Sequence, residues 1–129
     1  KLGADLVLES ITGAQQGQVD IVVEAVGSEK TLQSSIEWVK TTGRIVLSGL
    51  YEDKVNLVPN GIVEREIEVV GASCYDLADL KRSIDCIAAG KFDVTSIVSH
   101  ILPLTAAPEA FKMLTETYKN ASKILLQPD

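Results

Sequence analysis

Asp20-Ile-Val-Val-Glu-Ala-Val26, closed by Gly27, is the stretch on which the fold turns. Its nearly continuous apolar run suits a strand covered on both faces, as in a parallel sheet flanked by helices. Ser28 follows as a helix N-cap, and from Thr31 to Thr42 the apolar residues Leu32, Ile36 and Val39 recur at i, i+4 and i+7. One face of that helix packs on the sheet, Gln33, Glu37 and Lys40 meet water, and Trp38 lies at the edge. Gly43 ends the helix, and Arg44-Ile-Val-Leu-Ser-Gly49 supplies a second strand, so the whole stretch reads as strand, helix, strand.

Downstream the pattern repeats. Tyr51 to Asn60, with Pro59 and scattered charges, is a connection that holds a short strand around Val55 to Val58. Ile67-Glu-Val-Val-Gly-Ala72 is a third core strand. Asp76 caps a second helix, with Asp79 in its first turn and Leu77, Leu80, Ile84 and Ile87 at helical spacing until Gly90. After an irregular stretch containing Pro103, Thr105 caps a third helix. Pro108 and Glu109 stand in its first turn, and Ala107, Ala110, Phe111, Leu114 and Tyr118 lie along one side. Lys123-Ile-Leu-Leu126 is a closing strand. Strands alternating with helices of this length predict an α/β fold with right-handed crossovers.

The totals exclude several classes of protein. A chain of 129 residues with 46% hydrophobic residues can bury a real core. Its apolar runs are far shorter than the roughly 20 residues that a membrane helix needs, and no basic start precedes an apolar signal region. No membrane partner is expected. Twelve basic against 18 acidic residues give a net charge of -6, with no basic cluster interleaved with aromatics, which argues against nucleic acid. Cys74 and Cys86 form neither a disulfide framework nor a zinc knuckle, and read as reduced, buried thiols of a cytoplasmic protein. Lys1-Leu-Gly-Ala-Asp5 lacks an initiator Met, and Leu2-Gly3 reads as the last turn and glycine stop of a helix, so the chain is expected to be a piece of a longer one.

Ligands of open parallel sheets bind beyond the carboxyl ends of the strands. Three such tips carry a glycine: Ala25-Val-Gly27-Ser28, Ser48-Gly49-Leu50 and Gly71-Ala-Ser73. Glycine there lets a flat ring or a sugar approach the backbone, although it also serves simply to start a turn. The phosphate-binding G-x-G-x-x-G is absent, as is the Walker pattern. His100 has no motif-like carboxylate or nucleophile partner, and Glu64-Arg65-Glu66-Ile-Glu68, with both signs of charge, reads as a solvated edge. Lys123 can serve a phosphate or cap a carbonyl. No catalytic residue is assigned.

Leu2-Gly-Ala-Asp5, Val19-Asp-Ile-Val-Val-Glu-Ala-Val-Gly27, Gly43-Arg-Ile-Val-Leu-Ser-Gly49, Glu66-Ile-Glu-Val-Val-Gly-Ala-Ser73, Gly90-Lys-Phe-Asp93 and Pro103-Leu104 through Glu109-Ala-Phe111, in this order, resemble the zinc-type medium-chain dehydrogenases. The likeness runs over the whole chain and is strongest to the polyol, butanediol and threonine dehydrogenase branch. It implies a partial Rossmann-type parallel sheet holding the later strands, with a short extra strand at Asp5-Leu-Val-Leu8. Residues 1–93 are then a partial dinucleotide-binding domain and residues 94–129 a C-terminal segment returning towards the catalytic domain. By position the cofactor contacts are Ala25, Val26 and Gly27 near adenosine, Ser48, Gly49 and Leu50 with Ala72 and Ser73 towards the nicotinamide, and Lys123 near the pyrophosphate.

The resemblance further implies NAD or NADP as cofactor, with a catalytic zinc whose ligands lie outside this chain. The whole protein then oxidises a small secondary alcohol or polyol by hydride transfer, while this chain alone has little or no activity. Loss of the first two strands of such a sheet leaves a bare edge along Ile21 to Ala25, which predicts homo-oligomers through sheet edges, either there or, as the resemblance implies, through the region of about Val55 to Gly71. Two other classes are open at this point: a self-contained nucleotide- or metabolite-binding module, and a non-catalytic assembly domain.

Overall fold

Side chains of successive strand residues point to opposite faces, so Val22 and Glu24 share one side of the first strand while Ile21 and Val23 share the other. The structure, a computed structural model, describes residues 3–8, 16–115 and 121–128. Two compact units make up the chain, Leu6–Cys74 and Tyr75–Asp129 together with Lys1–Asp5.

In the first unit, strands β1 (Val19–Glu24), β2 (Val39–Leu47) and β3 (Glu68–Gly71) form a parallel sheet in that order, with helix α1 (Glu29–Trp38) between β1 and β2 and a single turn, α2 (Asn60–Val63), before β3. The register aligns Val23 with Val46 and Val46 with Val70. On the opposite face Ile36, Val39, Ile45 and Ile67 form the core, with Val22, Leu47 and Ile62 packed around them. Full burial of such a side chain contributes roughly 1.5–3 kcal/mol, which makes this cluster the main source of cohesion in the unit. α1 covers only that face. Ile21 and Val23 are 57% and 64% exposed, so the expectation of a first strand covered on both sides is corrected within this unit.

Ser28 caps α1 as the sequence indicates: its hydroxyl accepts from Thr31 N, and the Thr31 side chain returns the bond to Ser28 N. The helix stops at Trp38, however, and not at Thr42. Val39 already has extended backbone, and Lys40 to Gly43 bulge out of the ladder between the Val19–Val39 and Ile21–Arg44 pairs. The cause lies downstream. α1 has no basic residue in its last turn, and the Arg65 guanidinium takes that place, donating to the Ile36 carbonyl, to Val39 O at 2.9 Å and to Gly61 O at 3.1 Å. Arg65 is half-buried, so the solvated edge expected around Glu64 to Glu68 is corrected at this residue. Neither the short strand expected at Val55 to Val58 nor the one at Asp5 to Leu8 is present.

In the second unit Asp76 caps α3 (Leu77–Ala88) in a reciprocal pair of bonds with Asp79, and Gly90, at φ +67°, follows the helix end. Asp93 accepts from Thr95 N, Thr95 Oγ1 and Ser96 N, closing a 3-10 turn at Thr95–Ile97. β4 (His100–Pro103) and β5 (Ile124–Gln127) pair in parallel, with α4 (Ala107–Thr115) between them. The sequence reading leaves β4 within an irregular stretch, because a four-residue strand with a histidine and a proline gives little period to detect. Thr105 lies inside a 3-10 turn, Leu104–Ala106, and so does not cap α4. Tyr118 falls outside the described residues.

Candidate functional site

The carboxyl ends of β1 and β2 meet at a single residue. Glu24, the last residue of β1, is 3% exposed. Its Oε1 accepts from Val26 N and Gly27 N, both at 2.9 Å, and from Thr31 Oγ1 at 2.8 Å, while Oε2 accepts from Tyr51 OH at 2.8 Å. The Glu24 carbonyl oxygen meanwhile accepts from Ser48 N at 2.8 Å and Gly49 N at 3.0 Å. One residue therefore ties together the tip of β1, the tip of β2, the first turn of α1 and the connection after β2.

An isolated buried carboxylate would take up a proton. Burial does push the Glu24 carboxyl up, but the Gly27 amide, the Thr31 hydroxyl, the Val26 amide and the Tyr51 hydroxyl outweigh it and hold the group below its ordinary 4.5. Tyr51 shows the converse: burial, its bond to Glu24 and the charge of Glu24 push its hydroxyl up from 10 to about 12. The pair is a carboxylate and a neutral phenol across the working pH range.

Two of the three tip glycines are fixed by each other. Gly27 has φ +80°, and a Cβ there would stand 2.1 Å from Leu50 O; a Cβ on Gly49 would stand 2.2 Å from Gly27 N and 2.7 Å from Glu24 Oε2. Backbone packs on backbone, and no side chain fits between. Gly71 differs, since a Cβ there would meet nothing within 4 Å. Around this contact Val26 and Leu50 are 69% and 86% exposed, and Ala25, Ser48, Ala72 and Ser73 are exposed as well. A surface depression runs past Val26, Gly27 and Ser28 to Leu50, Asp53 and Lys54.

The predicted contacts Ala25, Val26, Gly27, Ser48, Gly49, Leu50, Ala72 and Ser73 all lie at the strand ends of the first unit. Lys123 belongs to the second unit, immediately before β5, where its carbonyl accepts from Ser99 N at 2.8 Å. The sequence reading gives no weight to Glu24, Thr31 or Tyr51. A lone glutamate closing an apolar strand was the signal that could have found the first, because a charge in that position needs several donors. His100 is half-buried in β4, and its Nδ1 is buried with no hydrogen-bond partner. Cys86 is half-buried and Cys74 exposed, so the expectation of two buried thiols is corrected; neither is in a disulfide. Among the described residues no three His, Cys, Asp or Glu side chains are grouped to hold a metal ion.

A parallel sheet with a helical crossover and glycine tips at its carboxyl end defines an α/β protein of the Rossmann type. The zinc-binding dehydrogenase profile matches residues 1–89, and the chain belongs to that family. It is 27% identical to the D-arabitol-phosphate dehydrogenase of Enterococcus avium over 98% of this chain and 38% of that protein. It is 29% identical to human sorbitol dehydrogenase over 100% of this chain and 38% of that protein. Among solved structures, a zinc-binding dehydrogenase of Sinorhizobium meliloti with NADP bound superposes with a TM-score of 0.77 at 27% identity, covering 87% of this chain and 32% of that one. The chain thus spans about a third of the length of these relatives.

Proposed function

We propose that this chain is the later part of the cofactor domain of a cytoplasmic NAD- or NADP-dependent dehydrogenase acting on a secondary alcohol or polyol. In this reading residues 1–93 belong to the dinucleotide-binding domain and residues 94–129 return towards a catalytic domain. Ala25, Val26, Gly27, Ser48, Gly49, Leu50, Ala72 and Ser73 face the cofactor, with Lys123 near its pyrophosphate. The observation that carries it is the glycine-on-glycine contact at the ends of β1 and β2, which leaves an exposed backbone surface where a sheet of this type takes a ligand.

The tips fit the uncharged parts of a dinucleotide better than its phosphates. The amides of Val26, Gly27, Ser48 and Gly49 are already used by Glu24, and Ala72 N donates to Leu47 O. What remains is flat backbone and the hydroxyl of Ser48, with that of Ser73 turned to Cys74 Sγ at 3.6 Å, suited to a ring or a sugar. When bound, the nicotinamide supplies the hydride acceptor or donor. Zinc does not fit the described residues, among which no three His, Cys, Asp or Glu side chains are grouped to hold it. The bare edge of β1 offers a route to homo-oligomers.

Titrating NADH into the isotope-labelled chain tests the proposal, with butanediol and sorbitol oxidation by NAD+ assayed alongside in added zinc. Amide resonances at 25–27, 48–50 and 72–73 are expected to shift, with no turnover. Turnover by this chain alone, or shifts confined to other residues, would overturn it; saturation at micromolar NADH without turnover would favour a self-contained binding module.

A further inference from the structure

We propose that Glu24 is a positioning residue with a second role: it sets the tips of β1 and β2 for a ligand and, by laying its own carboxylate on the amides a phosphate would use, reserves that surface for uncharged groups. The inference rests on the reading of these tips as cofactor-facing.

Geometry supports the first role. The Glu24 side chain holds Val26 N, Gly27 N, Thr31 Oγ1 and Tyr51 OH, and its main-chain oxygen holds Ser48 N and Gly49 N. The Gly27 to Gly49 contact has no side chain of its own to lock it, so its alignment depends on these six bonds. The second role follows from the donor count. Strand ends leading into a helix present free amides and the positive end of the helix, the usual means of binding an anion. Here the Val26 and Gly27 amides are taken by Glu24, and the Ser28 and Thr31 amides by the reciprocal cap of α1. At Val26 and Gly27 an incoming phosphate would meet a fixed negative charge instead of free donors. A merely structural carboxylate would hold the fold without deciding which chemical group can approach; this one also repels anions.

Glu24 does not touch the ligand. Its test therefore compares inorganic phosphate with NADH on the full chain, reading the amide resonances of Val26 and Gly27. In the wild type, phosphate is expected to leave both unmoved at millimolar concentration. Glu24→Ala is expected to make them shift with phosphate and to weaken the NADH-induced shifts at least tenfold. Tyr51→Phe, which keeps the carboxylate, serves if Glu24→Ala fails to fold. It is expected to weaken the NADH response severalfold and leave phosphate excluded, because only the alignment is loosened. Arg65→Met controls for stability: it loosens the unit away from the tips and is expected to change neither response.

Phosphate shifts of Val26 and Gly27 in the wild type, or a Tyr51→Phe chain that keeps the wild-type NADH response, would overturn the inference. So would a folded Glu24→Ala chain that still ignores phosphate. If NADH shifts no amide in the wild type, the cofactor reading fails and the positioning role fails with it; phosphate exclusion is still decided, because that arm uses no NADH.

Discussion

A methyl group at Gly27 or Gly49 would run into main-chain atoms, which cannot swing aside as a side chain can. Gly27 carries the added strain of a positive φ. Gly27→Ala and Gly49→Ala are each expected to cost about 2 kcal/mol or more in urea unfolding, within the usual range for overpacking and left-handed strain. Gly71→Ala, with open space at its Cβ, should change stability by less than about 1 kcal/mol. Equal losses at all three positions would refute this division.

The two titrating partners beside these glycines act at opposite ends of the pH scale. The folded pKa of Glu24 is depressed, so its contribution is complete above its ordinary 4.5 and is lost as pH falls through the lower folded value. Tyr51 is raised from 10 to about 12, so its contribution is complete below 10 and is lost as pH climbs towards 12. Glu24→Gln is expected to flatten the acid limb of the stability profile and Tyr51→Phe the alkaline limb. Asp20, held down by Lys40, and Asp93, held down by Thr95 and Ser96, keep part of the acid limb in the first variant. Unfolding midpoints measured from about pH 3 to 12 check both signs.

At the scale of elements, local chemistry and distant chemistry divide what the sequence discloses. Ser28 and Asp76 announce their helices because a cap needs only residues three positions apart, and both caps form. Ser28→Ala should cost about 1 kcal/mol, read from the urea midpoint. The end of α1 is not local. It is set by Arg65, which comes from beyond β2 and binds the Ile36 and Val39 carbonyls. Periodicity runs on through Val39 and cannot register a guanidinium arriving from 26 residues away. Arg65→Met, which keeps most of the apolar stem and leaves those carbonyls unpaired, is expected to cost about 1–3 kcal/mol. A loss no greater than that of an exposed arginine such as Arg44 would show that solvent replaces its bonds.

The candidate site divides the same way. Its glycines are visible because a glycine at a strand end is a local signal. Glu24, Thr31 and Tyr51 come together only when the crossover places residue 51 over residue 24, so their partnership has no spacing to betray it.

For the whole molecule, what matters is what the first unit leaves uncovered. Among the described residues β1 pairs with β2 alone, so its other edge presents main-chain groups with no strand partner there. Beside that edge lies the bare face of the sheet, where Val23, Val46 and Val70 stand in one row and Ile21, Arg44 and Glu68 in the next. Only the Arg44–Glu68 pair, 2.7 Å apart and exposed, interrupts this apolar surface. Parallel strands are ordinarily buried on both faces, and a long, flat, apolar edge is a template for another strand. A second copy of the chain meets the need of the edge by continuing the ladder through β1. Sedimentation velocity is therefore expected to show dimers or larger species whose share grows with concentration, with fast amide exchange along Ile21 to Ala25 in the dilute chain and slower exchange in the concentrated one. Val23→Lys puts a charge beside the new ladder, and at equal concentration it should shift the population towards monomer without lowering the unfolding midpoint. A monodisperse monomer with Ile21 to Ala25 fully protected would mean that the edge is already covered within the chain.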